Sequence, residues 1–372
     1  MYNDDKRTVV TLDAGGTNFR FSAMRGCEFV TETYELPTHP DDLGRLLGDL
    51  EEGFSHVIGC LDSRPVAISF AFPGPADYPN GVFPRRLTNF PCFEGGVALG
   101  PFLESRFGLP VFINNDADLF AYGEALAGAL QEINAMIAKA GGVKRYHNLV
   151  GFILGTGFGI GITSRGSMFV GDNCCSEIYC SPSKWGQTLI AEEGVSLRAV
   201  LRYYREFAAD KAAAGYTDSY DIFRIAEGEL PGDMQAAQAA FAKFGEAAGY
   251  AIAQAACILD GVIVLGGGVS NAAKHFMPAL MRELNAEMHT LDGNRLPRVP
   301  SRIYNLLDPG EFDEFVAGNT VELPVSGTDK TVKTDTQSRL GITLSHLGTS
   351  RATAIGAYCF ALNALDNDKN QK

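Results

Sequence analysis

Apolar and polar positions alternate along the first third of the chain in patterns that predict strands and helices in turn. Strands are predicted over residues 8–13, 19–24 and 28–36 and in "PVAISFAF" and "PVFIN", and helices over residues 41–54, over residues 97–107 and from about Asp116 onward. The Pro- and Gly-rich "PGPADYPNG" after the fourth of these strands is typical of a loop. The acidic first turn after "FINN" suits the positive end of a helix dipole.

A second series of elements begins at "LVGFILGTGFGIGITSRG", which reads as strand, glycine turn and strand. Further on, the pattern predicts helices over residues 195–207 and 231–258, a strand, turn and helix in "GVIVLGGGVSNAAKHFMPALMRELNAEM", and a closing helix in "LGTSRATAIGAYCFALNAL". Residues 309–339 are polar and rich in turn formers, and we expect them to form an insertion. Strands that alternate with helices indicate an α/β protein.

Length and charge narrow the class of protein. A chain of 372 residues, 46% of them hydrophobic, can bury a large core and is long enough for roughly two domains. The formal net charge of −13 argues against non-specific binding to nucleic acid or to an anionic membrane. It does not argue against ATP, because backbone N–H groups and a metal ion can hold phosphates.

The cysteines and the N-terminal residues bear on localisation. The 8 cysteines are scattered without framework spacing, which predicts free thiols in a reducing compartment. "MYNDDKRTVV" lacks a long apolar segment, and no run of about 18 apolar residues occurs. The sequence therefore predicts a cytoplasmic protein without a signal peptide or a membrane span.

Two glycine turns at the tips of apolar hairpins could bind an anion. One carries Gly15, Gly16 and Thr17 after Asp13, and the other carries Gly155, Thr156, Gly157 and Gly159. Glycine lets backbone N–H groups approach a phosphate, and the threonine hydroxyl adds a donor. Asp13 at a strand end could hold Mg²⁺ through water next to a polyphosphate. The alternative is that both are ordinary hairpin turns.

A third glycine turn, with Gly266, Gly267 and Gly268, joins a strand to a helix in "VIVLGGGVSNAA". The full G-x-G-x-x-G spacing of a dinucleotide site is absent, as is its arrangement at the start of a βαβ unit with an acidic partner about 20 positions further on. A turn that faces an adenosine fits better. Close packing of the strand against the helix is the alternative.

"FINNDADLF" places Asn115 and Asp116 where a buried strand gives way to a helix. A carboxylate at this point could accept a proton from a substrate hydroxyl, and a neighbouring carboxamide could bind other hydroxyls. Capping of the helix N-terminus by Asn or Asp is the alternative, and it is compatible with the catalytic role.

Six short motifs together resemble one family. "LDAGGTNFR", "AFPGP", "NNDA", "LGTGFGIGI", "LGGGVS" and "LGTSRATAIGA" occur in this order, and the chain resembles the ROK family of sugar kinases and sugar-responsive repressors from Thr8 to about Leu362. The resemblance implies the actin-like ATPase fold, with two ribonuclease-H-like α/β domains and an interdomain cleft for ATP and sugar. We expect a smaller domain from residues 1–117 plus a helix at about 348–366, and a larger one from 118–347.

The resemblance also implies roles for residues. Asp13, Gly15, Gly16 and Thr17 match the first phosphate motif, Gly155, Thr156, Gly157 and Gly159 the second, and Gly266, Gly267 and Gly268 the adenosine motif. Asp116 matches the catalytic base. The sugar side is matched by Asn115, Gly74, Asn89, Glu177 and Glu192, with Glu193 as the alternative to Glu192.

One stretch departs from the family pattern. ROK kinases carry Glu-x-Gly-His followed by a zinc-binding cysteine cluster, whereas this chain has "SEIYC", which keeps Glu177 and places Cys180 where the histidine stands. The following "SPSKWGQTLIAEEGVS" contains no cysteine, and a structural zinc needs about four N or S ligands. We expect no zinc site, and recognition of the sugar that differs from that of a glucose-specific ROK kinase.

These observations predict an ATP- and Mg²⁺-dependent, glucokinase-like sugar kinase with Asp116 as general base. We expect a homodimer with a small sugar as substrate and no nucleic-acid or membrane partner. A catalytically silent sugar sensor of the same fold is an alternative, because the Glu-x-Gly-His stretch is altered. A sugar-responsive repressor is a second alternative, which the few residues before the first motif disfavour.

Overall fold

The computed structural model describes residues 2–15, 17–208 and 215–370. The strands of the first 200 residues are β1 (Val9–Ala14), β2 (Asn18–Arg25), β3 (Glu28–Phe29), β4 (Tyr34–Pro37), β5 (Ala67–Ala71), β6 (Val111–Asn114), β7 (Asn148–Leu154), β8 (Phe158–Ser164), β9 (Ser167–Met168), β10 (Pro182–Ser183) and β11 (Gly186–Ile190). Those of the remainder are β12 (Val262–Gly266), β13 (Glu287–His289), β14 (Arg295–Pro297), β15 (Arg302–Asn305), β16 (Thr320–Pro324), β17 (Thr331–Asp335) and β18 (Arg339–Leu344).

Helices alternate with the strands along the chain, as the sequence pattern predicts. They are α1 (Leu43–Gly59), α2 (Leu99–Phe107), α3 (Asp116–Ala127), α4 (Ala129–Lys139), α5 (Leu197–Phe207), α6 (Ser219–Ala226), α7 (Met234–Leu259), α8 (Ala273–Leu284), α9 (Pro309–Ala317) and α10 (Thr349–Asn370). Within the described residues, no helix is both long and apolar enough to cross a bilayer.

The chain divides into two compact units. The first comprises residues 1–131, 161–176 and 346–372, and the second comprises residues 132–160 and 177–345. The division differs from the sequence-based boundaries in placing α3 and residues 161–176 with the first unit.

The position of α3 follows from how closely it packs against α10. A Cβ atom at Gly123 would run into the backbone carbonyl of Ala352, and one at Gly356 would run into that of Leu119. Two helices approach this closely only where glycine removes the side chain. The sequence shows these glycines but not that they face each other.

The sheet of the first unit has the order β3-β2-β1-β5-β6, and β4 also pairs with β2. β1 is antiparallel to β2 and parallel to β5, and β5 is parallel to β6. All five residues of β5 are buried, as expected for a strand with both faces covered. The carboxyl ends of β1, β5 and β6 therefore lie at one edge of this sheet.

The sheet is covered on one side by the amphipathic helix α1, which is capped by Asp42 through the N–H of Arg45. Leu46, Leu50 and Phe54 are fully buried on one face of this helix. The ring of Phe54 meets that of Phe21 edge to face, with 5.1 Å between centroids, and so ties the helix to β2.

The sheet of the second unit contains parallel pairs in the order β15-β18-β12-β7, followed by β8. Helices α7 and α8 pack against each other, and a Cβ at Gly249 would come within 2.7 Å of the carbonyl oxygen of Leu280. β8 carries the chain from the second unit to the first, where its end pairs with β9.

Residues 309–339, which we expect to form an insertion, contain a helix and a hairpin. Helix α9 forms the crossover between the parallel strands β15 and β18, and β16 and β17 form the antiparallel hairpin that follows it. The hairpin is fixed at its base by the buried Arg339, whose Nη1 contacts Asp335 Oδ2 at 2.7 Å and whose Nε donates to the carbonyl of Phe315 at 2.7 Å.

The cysteines are free thiols, as the sequence predicts. Two of them, Cys27 in a turn of the first sheet and Cys359 in α10, are buried with their Sγ atoms 3.9 Å apart.

Candidate active site

Several residues assigned to the phosphate and sugar sites share one edge of the first unit's sheet. Asp13 lies near the end of β1 and is in register with Ala71 of β5, which is in register with Asn114 of β6. Neighbouring strands are about 4.8 Å apart, so Asp13 lies roughly two strand spacings from the start of α3. Gly74 lies in the loop that follows β5 at the same edge. Ligand sites of open α/β sheets occupy this edge.

Asp13 is exposed, and its carboxylate forms no hydrogen bond or ion pair with another described residue. The turn beside it is held by backbone contacts: the N–H of Gly15 donates to the carbonyl of Asn18 at 3.1 Å, and the N–H of Thr38 donates to that of Thr17 at 2.9 Å. Gly16, the middle of the predicted motif, lies outside the described residues. An open carboxylate with free oxygens suits Mg²⁺, which prefers oxygen ligands and retains several waters.

Asn115 and Asp116 form the N-terminus of α3. Asn115 caps the helix, and its Oδ1 accepts the N–H of Ala117 at 2.8 Å; Oδ1 of Asp116 accepts the same N–H at 2.9 Å. The capping role is therefore present, and it leaves the side-chain amide nitrogen of Asn115 without a hydrogen bond to another described residue.

Solvent still reaches the Asp116 side chain, although protein atoms crowd its carboxyl group. Burial raises the pKa of this carboxyl, hydrogen bonds from the backbone N–H groups of Ala117 and Asp116 lower it, and the negative charge of Asp13 raises it. The net shift is upward. A carboxylate in this environment is a stronger base than an exposed aspartate.

Asn89 lies in an exposed loop that a cluster of aromatic rings anchors. Phe90, its neighbour, is buried and packs against Phe72 with 4.7 Å between ring centroids. Phe72 directly follows β5 and precedes Gly74, where a Cβ would lie 2.8 Å from the hydroxyl of Tyr78. The aromatic core therefore positions both Gly74 and Asn89.

In the second unit, the glycine turn between β7 and β8 is tight. The N–H of Gly155 donates to the carbonyl of Gly157 at 3.1 Å, and the carbonyl of Gly155 accepts the N–H of Leu197 at 2.9 Å. Thr156, at the tip, is exposed, and Gly159 follows in β8. We refer to residues 155–159 as the second phosphate hairpin.

The turn with Gly266, Gly267 and Gly268 adjoins this hairpin. Gly266 ends β12, in register with Ile153 of β7, and Gly267 has a φ of +89°. A Cβ at Gly267 would run into the carbonyl of Leu154, so both conformation and space require glycine here.

Gly268 lines a cavity of about 290 Å³ inside the second unit. Tyr220 and Phe223 of α6 and Phe241 of α7 supply aromatic rings to it, and Asn271 and Asp218 supply polar groups. Apolar walls with a few polar groups are typical of small-molecule sites. Sequence reasoning missed these five residues, because aromatic residues at helical spacing are more often part of a core.

His275 packs against two of the aromatic rings that line the cavity. His275 stacks on Phe241 with 5.9 Å between centroids and meets Phe223 edge to face at 6.2 Å. Its Nε2 lies 2.5 Å from Oε1 of Glu227. A hydrogen bond from Lys274, and then one from His275, lowers the pKa of the Glu227 carboxyl.

The two glutamates assigned to the sugar side also belong to the second unit. Glu177 begins the second segment of this unit and is exposed, like Cys180 nearby. Glu192 lies in a short 3₁₀ turn before α5 and contacts the second phosphate hairpin. Glu193, the alternative, instead pairs with Arg202. Among the described residues, no three His, Cys, Asp or Glu side chains cluster as metal ligands.

The family of the chain follows from a comparison of its sequence with models of protein families. The sequence model of the ROK family matches residues 9–298, most of the chain. The protein belongs to the ROK family. The sequence-based prediction of this family is therefore confirmed.

Two curated relatives of this ROK protein are named as sugar kinases. A glucokinase of Halalkalibacterium halodurans is 25% identical over 84% of this chain and 92% of its own length. An N-acetyl-D-glucosamine kinase of Vibrio cholerae is 30% identical, but the match spans 44% of this chain and about half, 48%, of that kinase.

Solved structures confirm the fold. A crystal structure of glucokinase from Parabacteroides distasonis is 49% identical, covers 98% of this chain and 99% of its own, and superposes with a TM-score of 0.89. A ROK family glucokinase from Streptomyces griseus, in complex with glucose and AMPPNP, shares the fold with a TM-score of 0.63 at 17% identity over 94% of this chain and 98% of its own. The predicted actin-like ATPase fold is thus confirmed.

Proposed function

We propose that this ROK protein is an ATP-dependent sugar kinase, which transfers the γ-phosphoryl group of ATP to a hydroxyl group of a hexose or hexose derivative. The observation that carries the proposal is the Asp116 carboxylate at the edge of the first sheet, open to solvent but with a raised pKa. The relatives named glucokinase and N-acetyl-D-glucosamine kinase support the same activity.

In the proposed reaction Asp116 is the general base. Its carboxylate accepts the proton of the sugar hydroxyl while the hydroxyl oxygen attacks the γ-phosphorus, and ADP leaves with the electron pair of the broken P–O bond. Phosphoryl transfer needs little covalent help from the protein, so placing the hydroxyl next to this carboxylate supplies much of the catalysis.

The sugar is bound, in this proposal, by Gly74, Asn89, Asn115 and Glu177. The amide nitrogen of Asn115, which capping leaves free, can donate to a hydroxyl oxygen. Glu192 is assigned to this group by family resemblance. The altered stretch at Cys180 implies that the sugar is recognised differently from glucose in other ROK kinases.

The nucleotide is bound by backbone groups and apolar walls. We assign the adenine base to the cavity at Gly268, and the phosphates to the second phosphate hairpin and to the turn of Gly15 and Thr17. Asp13 would hold Mg²⁺ through water, and the ion would supply positive charge to the phosphates. The relative with bound AMPPNP supports the use of ATP.

We further propose a homodimer in the cytoplasm with no nucleic-acid partner. The net charge of −13 supports the last of these, because nucleic acid repels an acidic surface. Size-exclusion chromatography with light scattering measures the oligomeric state.

The test is a panel of hexoses, amino sugars and N-acylated amino sugars, each assayed for ADP release with Mg-ATP. Glucose and N-acetyl-D-glucosamine come first, because the relatives' names include them. We expect sugar-dependent ADP release with at least one member. Binding of sugars and AMPPNP without any ADP release would instead support the silent sensor of the same fold.

A further inference from the structure

A short antiparallel hairpin, formed by β10 and β11, lies in the chain between two of the residues assigned to the sugar. Glu177 precedes it and Glu192 follows it, and both belong to the second unit. The N–H of Glu192 donates to the carbonyl of Tyr179 at 3.1 Å, so the chain enters and leaves this hairpin at one end. We refer to residues 178–191 as the sugar-side hairpin.

The strands of the sugar-side hairpin bury little surface of their own. β10 has two residues, and four of the five residues of β11 are exposed. An isolated two-stranded hairpin is at best marginally stable in water. Contacts with the rest of the second unit must therefore fix its position.

Lys184 supplies one of these contacts at the turn of the hairpin. Ser183 is in register with Gly186, so Lys184 and Trp185 form the turn. The Lys184 ammonium group contacts Oε2 of Glu246 on α7 at 3.5 Å and also pairs with Oε1 of Glu283 on α8. The side chains of Lys184 and Glu283 are 25% and 16% exposed, so water screens this pair less than a pair on the open surface.

Trp185 supplies a second contact, to a third helix. Its Nε1 donates to the hydroxyl oxygen of the buried Tyr203 on α5 at 2.9 Å. The Nζ atoms of Lys184 and Lys243 lie 5.3 Å and 5.5 Å from the centroid of its ring, within the range of cation–π attraction. The turn is therefore bound to α5, α7 and α8.

Lys184 can be removed without leaving its partner on α8 unpaired. Oε2 of Glu283 also pairs with Nη1 of Arg298 at 2.9 Å. Removing one partner of a buried ion pair is strongly destabilising when the remaining charge has no other partner, and Arg298 prevents that here. We therefore expect a variant without Lys184 to fold and to lose chiefly the attachment of the turn.

We propose that Lys184 and Trp185 are positioning residues for sugar binding. By fixing the turn of the sugar-side hairpin to three helices, they hold Glu177 and Glu192, at its other end, where the sugar binds. Neither Lys184 nor Trp185 contacts the sugar. This inference rests on the proposed function, which assigns the two glutamates to the sugar.

The test combines steady-state kinetics with calorimetric titrations, one with glucose and one with AMPPNP. Glucose is the probe because two relatives are named glucokinase. We expect Lys184→Ala to raise Kd and KM for glucose about fivefold and to change kcat less than about twofold. AMPPNP affinity should stay within about twofold, because the N–H of Leu197, outside the sugar-side hairpin, also binds the second phosphate hairpin at Gly155.

Two conservative variants separate positioning from general stability. Lys184→Arg keeps a cation that can reach Glu246 and Glu283, so it should restore glucose affinity to within about twofold of the wild type. Trp185→Phe keeps an aromatic ring but removes the donor to Tyr203, so it should weaken glucose binding about threefold. It also tests the inference if Lys184→Ala fails to fold.

Lys333→Ala is the matched control. Lys333 is another ion-paired lysine of the second unit, and it contacts Glu322 at 3.4 Å in the hairpin of β16 and β17. This variant should bind glucose and AMPPNP like the wild type.

Unchanged glucose affinity in Lys184→Ala or Trp185→Phe would overturn the inference, even if the unfolding temperature falls, because the contacts would then only stabilise the fold. A loss of AMPPNP affinity as large as the loss of glucose affinity would also overturn it. The proposed function fails separately. If Lys184→Ala weakens glucose binding and Lys184→Arg restores it, but no sugar is phosphorylated, the positioning role stands and the kinase activity does not.

Discussion

The edge of the first sheet and the second phosphate hairpin meet similar ligands, in our proposal, by opposite means. At the first, Asp13 and Asp116 are solvent-accessible carboxylates, and no described residue forms an ion pair with Asp13. At the second, Glu192 has both oxygens engaged, and the ligand-facing groups are glycine amides and aromatic rings. The acidic side chains at the two places therefore differ in their partners: Asp13 forms no ion pair with a described residue, whereas Glu192 accepts two hydrogen bonds.

The difference shows that contacts, not residue type, distinguish these carboxylates. In the first unit, burial and then the negative charge of Asp13 raise the pKa of Asp116, which favours proton uptake. In the second unit, the Glu192 carboxylate accepts hydrogen bonds from Arg198 and from the N–H of Phe158.

The largest effect is expected for Asp116→Asn. Asparagine keeps an oxygen for the N–H of Ala117, so α3 keeps its N-terminus, but it cannot accept the proton of the sugar hydroxyl. We expect kcat to fall about a thousandfold, with AMPPNP affinity within about twofold of the wild type. The measurement is ADP release together with calorimetric titration.

Asp42→Asn is the matched control for this variant. Asp42 is another helix-capping aspartate of the first unit, at α1, and asparagine preserves the cap. It should leave kcat unchanged. Equal turnover by Asp116→Asn and Asp42→Asn would disprove the assignment of the base.

A smaller effect, on KM rather than on kcat, is expected at the cavity of the second unit. Phe223→Ala removes one aromatic wall, so we expect KM for ATP to rise about tenfold while kcat changes less than threefold. Phe207→Ala is the control, because Phe207 is an exposed phenylalanine of the same unit that does not line the cavity. A fall in kcat at constant KM would contradict the assignment of the adenine base to this cavity.

The smallest effect is expected from zinc removal. The departure of "SEIYC" from the family pattern predicts that dialysis against a zinc chelator changes neither turnover nor the unfolding temperature. Metal analysis by mass spectrometry should find less than stoichiometric zinc. One zinc per chain that is lost together with activity would contradict this prediction.

The sequence predicts the elements around the site well, because each has a local signal. The buried strand "PVFIN" followed by acidic residues predicts the start of α3 at Asp116, and the structure begins the helix at this residue. The crossover helix α9 was missed, since its polar residues cover only one buried position, Phe315, and give a weak apolar period.

Contacts between distant segments could not be predicted from the same patterns. The approach of Gly123 to Ala352, the seating of Phe223 against His275 and the bond from Phe158 to Glu192 each join residues far apart in the chain. Glu192 shows the limit: its spacing before Ser196 suggests a family role, whereas its partners depend on where the hairpin folds.

The pH dependence of kcat/KM for the sugar tests the central claim most directly. Asp116 acts as a base only when deprotonated, so kcat/KM should fall as the pH drops through the pKa of Asp116, at a pH above the usual range of aspartate. Burial is the largest cause of the raised pKa, so the acidic limb should lie at a higher pH than an exposed aspartate gives. A limb at the pH of an exposed aspartate, or no acidic limb at all, would contradict the account.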